Sequence, residues 1–496
     1  MKNLVKYFAF LLILALFASC GKDWLDVNTD PNNAASASAE NILPAAELNS
    51  GIAIGGYYNL LGQIWSQYYT QNSGSNQYKY IDALGLTANN FQFQYGQLYA
   101  SLLNLKTVES EAAKQDNWAY FLMATVVECY DWQVLADLYD EIPFNEALQG
   151  VANQAPHFDP AQLVYDSLIT RLDYALAQPL NVLTDVQKTK DYFFAADMAQ
   201  WVRFANTLKL KIYMRQMYIR PTVAQAGIQQ LYADGANFLT SDAKLDMFEN
   251  AKGKDNPLYE FDQRLNTTTN LAISATIYKY FLSNADPRLA KLINSGGVNP
   301  LPQGGNQIPT TLIDKVITAK LNVTDPVYFI SAAESYFLQA EAVAMGWGTG
   351  DDQALYNSGV LAAFSRFGLD GSSFIAPGGA YVYHPAGNFE QKQHDIIMAK
   401  WASMARAQGL ESYLETNRTH YPIKSSLNSN NWNTNNFDPT NTDYVSWTGG
   451  ERLYPLNGST GYFPLRLVFP ASERLSNSNT PAEIPSSAHV WWDVKP

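Results

Sequence analysis

The side chains that most often carry catalysis are sparse and scattered in this chain. Its five histidines, His157, His384, His394, His420 and His489, form no His-x-x-x-His or HExxH pair, the spacing that puts two zinc ligands on one helix face. Only two cysteines occur, Cys20 and Cys129, so a zinc site would have to draw its ligands from distant segments. No G-x-S-x-G elbow presents a hydrolase serine. The glycines of "GWGTGDD" (346–352) follow a helical pattern and read as a helix stop with the next N-cap, because a dinucleotide fingerprint follows a strand. Carboxylates remain, since a glycosidase needs only two acids about 5 to 10 Å apart. Asp137, Asp140 and Glu141 cluster in "ADLYDEIPF". They stand at the end of an apolar helical run before Pro143, where acids serve as caps and solvated turns. Calcium would find oxygen ligands in "DVNTDPNN" (26–33) or "DPTNTD" (438–443), but neither has EF-hand spacing, and no metal or other cofactor is assigned. The expectation is a protein that is not an enzyme.

Binding chemistry is easier to find. Three loops mix aromatic rings with amides: "SQYYTQNSGSNQYKY" (66–80), "GSSFIAPGGAYVYHPAGNFEQ" (371–391) and "NSNNWNTNNFDPTNTDYVSWTGG" (428–450). A sugar ring has an apolar face that stacks on aromatics, while its hydroxyls exchange hydrogen bonds with Asn, Gln and Asp. The expected stacking residues are Tyr69, Tyr78, Tyr80, Tyr383 and Trp432. Asn72, Asn76, Gln77, Asn431 and Asn433 are expected to take the hydroxyls. A plainer account has these loops as solvated connectors whose aromatics pin them to the body.

The elements that must hold such loops are helices. Apolar residues recur three and four apart in "AAELNSGIAIGGYYNLLGQIWSQYY", "YGQLYASLLNLKTVESEAA" and "NWAYFLMATVVECYDWQVLADLY". In "DPAQLVYDSLITRLDYALAQP", Asp159 is a plausible N-cap, Pro160 the first helical residue and Pro179 the stop. Further helices are expected at about 199–218, 271–284, 329–346, 352–367 and 390–407, and strand-like alternation is scarce. The helices come in pairs that cannot bury both faces alone, and stacking them makes a solenoid core. Ala340 and Ala344, one turn apart, allow close helix approach as in a tetratricopeptide unit, although no clean 34-residue period recurs. The fold class is mainly α, a degenerate tetratricopeptide-like solenoid of helical hairpins.

The N-terminus says where the chain goes. Tyr7–Ala18 is an apolar run of 12 residues behind Lys2 and Lys6. It reaches about 18 Å as a helix, short of the roughly 30 Å of a bilayer core. A basic flank, a short apolar centre and small residues before a cut mark a signal peptide over 1–19. Cys20 after Ala18 and Ser19 looks like a lipobox, with Phe17 where Leu is usual; acylated Cys20 would become the first residue and anchor the chain. An ordinary secretory signal with an incidental cysteine is the alternative. Residues 20–45, rich in Pro, Asn, Ser and Ala, read as a tether, and 20–496 as one domain. With Cys20 consumed, no internal disulfide can form, and Cys129 reads as a packing residue. Formal charge is −13, which argues against nucleic acid.

Several stretches together resemble the SusD/RagB family of outer-membrane nutrient-binding lipoproteins. They are "CGKDWLDVNTDPNN" at the mature start, "WVRFANTLKLKIYMRQ" (201–216), "DPVYFISAAESYFLQAEAVAMGW" (325–347), "YNSGVLAAFSRFG" (356–368), "DIIMAKWASMARAQGLESYLETNRTHYP" (395–422), "FPLRLVFPASERLSNSNTP" (463–481) and "VWWD" (490–493). The resemblance implies an α-helical body of four degenerate tetratricopeptide-like units and a loop-rich half that carries the ligand. It also implies a lipid-anchored place on the outer membrane, facing outward, and a partner, a SusC-like TonB-dependent barrel that the lipoprotein covers as a lid. Family members are non-catalytic; most bind oligosaccharides and some bind peptides. The matching segments are scaffold helices, so the ligand residues named above rest on chemistry alone. The expected function is capture of a nutrient oligomer, an oligosaccharide first and a peptide second, for delivery to the barrel. The rivals are a surface glycoside hydrolase and a solenoid that binds only protein.

Overall fold

A computed structural model describes residues 38–305, 315–424, 452–453 and 463–496. The first helix, α1 (Ala39–Ala53), begins inside the stretch expected as tether, so residues 39–45 are helical and Pro44 lies within the helix. It is followed by α2 (Asn59–Trp65), α3 (Gln92–Lys114), α4 (Trp118–Tyr139), α5 (Ala161–Leu176), α6 (Met198–Arg215) and α7 (Pro221–Ala233). Beyond them come α8 (Ala275–Ser283), α9 (Ala332–Ala344), α10 (Asp352–Ser365), α11 (Phe389–Met404) and α12 (Gly409–Thr419). Successive helices pack on one another: α3 on α1 and α4, α5 on α4, α7 on α6, α10 on α9, α12 on α11. This is the stacked-hairpin architecture that the apolar spacing predicts.

Helix α4 is buried at every position from Leu122 to Tyr139, as expected of a helix that is apolar all round. Cys129 lies in it, fully buried. Strands are short, and among the described residues they form four two-stranded ladders. They are β1 (Tyr69–Gln71) with β5 (Leu271–Ile273), β2 (Glu141–Pro143) with β3 (Phe158–Pro160), β4 (Ala243–Leu245) with β6 (Val327–Ile330), and β7 (Ile423–Lys424) with β8 (Arg452–Leu453).

Two of the expected helices are shorter than their apolar runs. Leu271–Ile273 and Val327–Ile330 are strands, and each is followed by a serine N-cap, Ser274 accepting from the Thr276 amide and Ser331 from the Glu334 amide. A buried strand and a buried helix share the same apolar composition, so the boundary falls at the serine. Asp159 does not cap α5. It sits in β3 and accepts from the backbone and side chain of Asn145, at 2.8 and 3.0 Å. Asp351 does cap α10, after Gly346 in left-handed backbone at φ 77°.

Charge lies deep in the helical body. Arg215 on α6, fully buried, meets Asp137 of α4 at 3.2 Å and Glu411 and Glu415 of α12 at 2.8 and 2.5 Å. Lys211 reaches Glu334 and Glu411 (3.1 and 2.8 Å), Lys400 reaches Glu415 (3.0 Å), and Arg418 reaches Glu341 and Glu415 (2.6 and 2.7 Å). The network joins α4, α6, α9, α11 and α12. Burial pushes the Asp137 carboxyl up to about 6, against the pull of Arg215. Against the same burial, Arg418, Lys400 and Arg215 hold Glu415 well below the usual carboxylate range. Asp137 is therefore a core residue, not the solvated helix-end acid its setting suggests. It also accepts a hydrogen bond from the Tyr165 hydroxyl.

Candidate functional site

The loop at 66–80 is held by its own polar side chains. Gln71 donates through Nε2 to Ser75 Oγ (2.8 Å) and to the Asn270 carbonyl (3.1 Å), and its Oε1 accepts from the Tyr78 amide (2.6 Å). Asn72 donates to the Thr269 carbonyl at 2.9 Å. Thr70 donates to Asp82 at 2.8 Å, and Gln303 donates to the same carboxylate at 2.6 Å. On the facing segment, Asp262 accepts from the Leu271 amide (2.7 Å) and from Gln263 (2.5 Å), and burial pushes its carboxyl up to about 6. The β1–β5 ladder pairs Tyr69 with Ile273, Thr70 with Ala272 and Gln71 with Leu271. Two loops about 190 residues apart are thus clamped side by side.

Above that clamp lies an aromatic face. Tyr57, Tyr80 and Phe261 are half-buried, and the hydroxyls of Tyr57 and Tyr80 are hydrogen-bonded to each other. The Tyr57 ring lies 5.4 Å from Phe261 and 5.0 Å from Phe91. Burial pushes the Tyr80 phenol up to about 12, which keeps it a neutral donor. In the segments that carry Tyr80 and Phe261, Asn76, Gln77 and the "RLNTTTN" turn (264–270) present exposed amides and hydroxyls, with Asn266 and Thr267 at the surface.

Tyr57 and Phe261 reach the face from the two π-helical turns among the described residues, Ile54–Tyr58 and Glu260–Arg264. Such turns insert a residue into the helical repeat and so re-aim a side chain. Gly56 lets them meet. Its backbone leaves the helical region (φ −90°, ψ −112°), and a Cβ there would lie 2.9 Å from Phe261 Cε2.

The side chains expected from sequence fall into three groups. Tyr80, Asn76 and Gln77 stand on this face. Tyr69, Tyr78 and Asn72 lie beneath it: Tyr69 and Tyr78 are fully buried, Tyr78 donates to the Phe261 carbonyl at 2.7 Å, and Asn72 braces the loop. Their rings and amide support the loops and present no free face to a sugar. Tyr383 lies elsewhere and is also buried, stacked on Tyr356 (4.9 Å) and donating to Asp352 (2.8 Å). In a loop without a helical apolar face, the aromatics themselves become the local core. Asn431, Trp432 and Asn433 lie outside the described residues, as do Cys20 and both calcium-like stretches. Tyr57 and Phe261 were hidden in sequence by helical spacing that reads as core.

This frame matches known proteins over nearly its whole extent. Residues 37–444 fit the SusD-like family model described as starch-binding, associating with the outer membrane. The chain belongs to the SusD-like family. Solved SusD-like structures share the fold. A SusD homolog from Bacteroides uniformis is 21% identical with a TM-score of 0.72, covering 92% of this chain and 99% of that one. A chitin-binding SusD homolog from Flavobacterium johnsoniae is 20% identical (TM-score 0.70; 92% and 99% covered). A SusD-like protein from Bacteroides thetaiotaomicron is also 20% identical (TM-score 0.70; 92% and 99% covered). No curated protein matches the sequence. The family is one of outer-membrane-associated binding proteins, and no described helix is long and apolar enough to cross a membrane. Two carboxylates of the loops under the SusD-like aromatic face, Asp82 and Asp262, are buried and engaged in bracing it.

Proposed function

We propose that this SusD-like chain captures an oligosaccharide on the Tyr57–Tyr80–Phe261 face and passes it to a SusC-like TonB-dependent barrel. In this reading residues 1–19 are removed, Cys20 is acylated and holds residues 20–496 as one unit on the outer membrane, facing outward, and no residue is catalytic. The carrying observation is the face itself. Three half-exposed rings offer apolar surface to a pyranose, and Asn76, Gln77 and Asn266 supply donors and acceptors at its edge. The family description and the chitin-binding homolog support a glycan ligand.

The test is calorimetric titration of the full chain in detergent with starch-derived and chitin-derived oligosaccharides and with peptides. Tyr57→Ala/Tyr80→Ala should weaken binding of the preferred glycan at least tenfold while melting within a few degrees of the parent. Unchanged affinity removes the face from the site. Heat with peptides alone replaces the glycan, and chromatographic release of shorter sugars replaces capture with hydrolysis.

A further inference from the structure

A cavity of about 420 Å³ opens where the ends of α10 and α11 meet the segments before β6. That size is ordinary for a small-ligand site. Its charge is not ordinary for a chain with a formal charge of −13. Lys291, Lys320, Arg366 and Arg406 line it, with Asp325 as the one carboxylate in the wall.

That carboxylate is already engaged. Arg406 donates to Asp325 through Nε at 2.8 Å and again through Nη2, and Asn322 donates to it through its amide N–H (2.8 Å) and its side chain (3.1 Å). Among the described residues, Arg366, Lys291 and Lys320 have no ion-pair partner. Arg366 lies over the Tyr328 and Phe367 rings, its guanidinium carbon 5.5 and 4.8 Å from the ring centres. Its Nη2 donates to the Ser403 carbonyl at 2.5 Å, while Nη1 is buried with no hydrogen-bond partner. A buried guanidinium N–H left unpaired is costly, and an arriving acceptor recovers that cost. The lysines are positioned by backbone: the Lys320 amide donates to the Leu292 carbonyl at 2.9 Å, setting Lys320 beside the turn that carries Lys291.

We propose that this cavity is an oxyanion site, which takes the carboxylate, sulfate or phosphate group of a small ligand such as an acidic sugar. It is separate from the aromatic face and stands whether or not that face binds glycan. Three cations without an ion-pair partner stand around a concave, partly dry wall, with Asp242 acting on Arg366 from outside the lining, and they attract an oxyanion and penalise the uncharged analogue.

The probes are sodium glucuronate, phosphate and sulfate, titrated calorimetrically into the full chain at ionic strength held constant with sodium chloride. Glucuronamide serves as the uncharged counterpart. Saturable heat is expected with at least one oxyanion, and binding at least tenfold weaker to Lys291→Gln/Lys320→Gln, whose side chains make no described ion pair. Glucuronate alone would assign a carboxylate sugar; phosphate or sulfate alone would assign those groups. Silence with all three, glucuronamide binding as tightly as glucuronate, or an undiminished double variant overturns the site. The same double variant should bind neutral oligosaccharide as the parent does, so failure here and failure of the aromatic face are read separately.

Discussion

Replacing Arg215 with Met tests the buried charge network most directly. The parent cluster holds four cations, Lys211, Arg215, Lys400 and Arg418, against five carboxylates, Asp137, Glu334, Glu341, Glu411 and Glu415. Removing one partner of a buried pair costs about 3–5 kcal/mol. Arg215 touches three carboxylates, yet the loss is not three such terms. Glu411 keeps Lys211, and Glu415 keeps Lys400 and Arg418. Asp137 alone loses its only ion-pair partner, so a destabilisation of about 4 kcal/mol at pH 8 is expected. The pH dependence is sharper still. Burial already raises Asp137 to about 6, so its contribution to stability is lost as pH rises from its ordinary 3.8 through about 6. Without Arg215 the native carboxyl rises further and that loss extends to higher pH, by about 1.4 kcal/mol for each added unit. Arg215→Met should therefore be closer to the parent at pH 5 than at pH 8. Urea unfolding followed by circular dichroism at both pH values measures it. A variant within about 1 kcal/mol of the parent at pH 8, or one worse at pH 5, refutes the reasoning.

Two further outcomes are expected. Burial pushes Asp131 up to about 7 while it accepts from Ser50 at 2.5 Å; Asp131→Asn keeps that acceptor, so its melting temperature should rise relative to the parent at pH 8 and the gain should shrink at pH 5.5. A Cβ on Gly62 would lie 2.1 Å from the Gly409 carbonyl carbon, backbone that cannot yield, so Gly62→Ala should cost about 3 kcal/mol or more in urea unfolding, whereas Gly96→Ala, with open space around it in α3, should stabilise by about 0.5–1 kcal/mol.

The helical body was legible because its signal is local. The run expected at 352–367 is α10 (Asp352–Ser365), and that at 199–218 is α6 (Met198–Arg215). What escaped depends on partners distant in sequence. Leu271–Ile273 becomes a strand because Tyr69–Gln71 lies beside it. Asp137 becomes a core residue because Arg215 arrives 78 residues later. The aromatic face was half-legible. The amide-rich loop pointed to Tyr80, Asn76 and Gln77, but composition cannot separate a ring that faces outward from one that props the loop, as Tyr78 does. Tyr57 and Phe261 stand half-buried in π-helical turns, which a 3.6-residue period does not register.

The side of the aromatic face nearest the body is fastened very late. Asn59, the residue after the first π-helical turn, accepts a hydrogen bond from the Gly409 amide, 350 residues further along. A polypeptide emerges from a ribosome at about 5–20 residues per second, so Tyr57 and Tyr80 wait roughly 10–40 s for Phe261 and longer for the first turn of α12. A product cut short between Tyr80 and Gly409 would carry both tyrosines and still lack the hydrogen bond that fastens Asn59 beside them. The scaffold beneath the face is thus closed by a contact that exists only once most of the chain has been made.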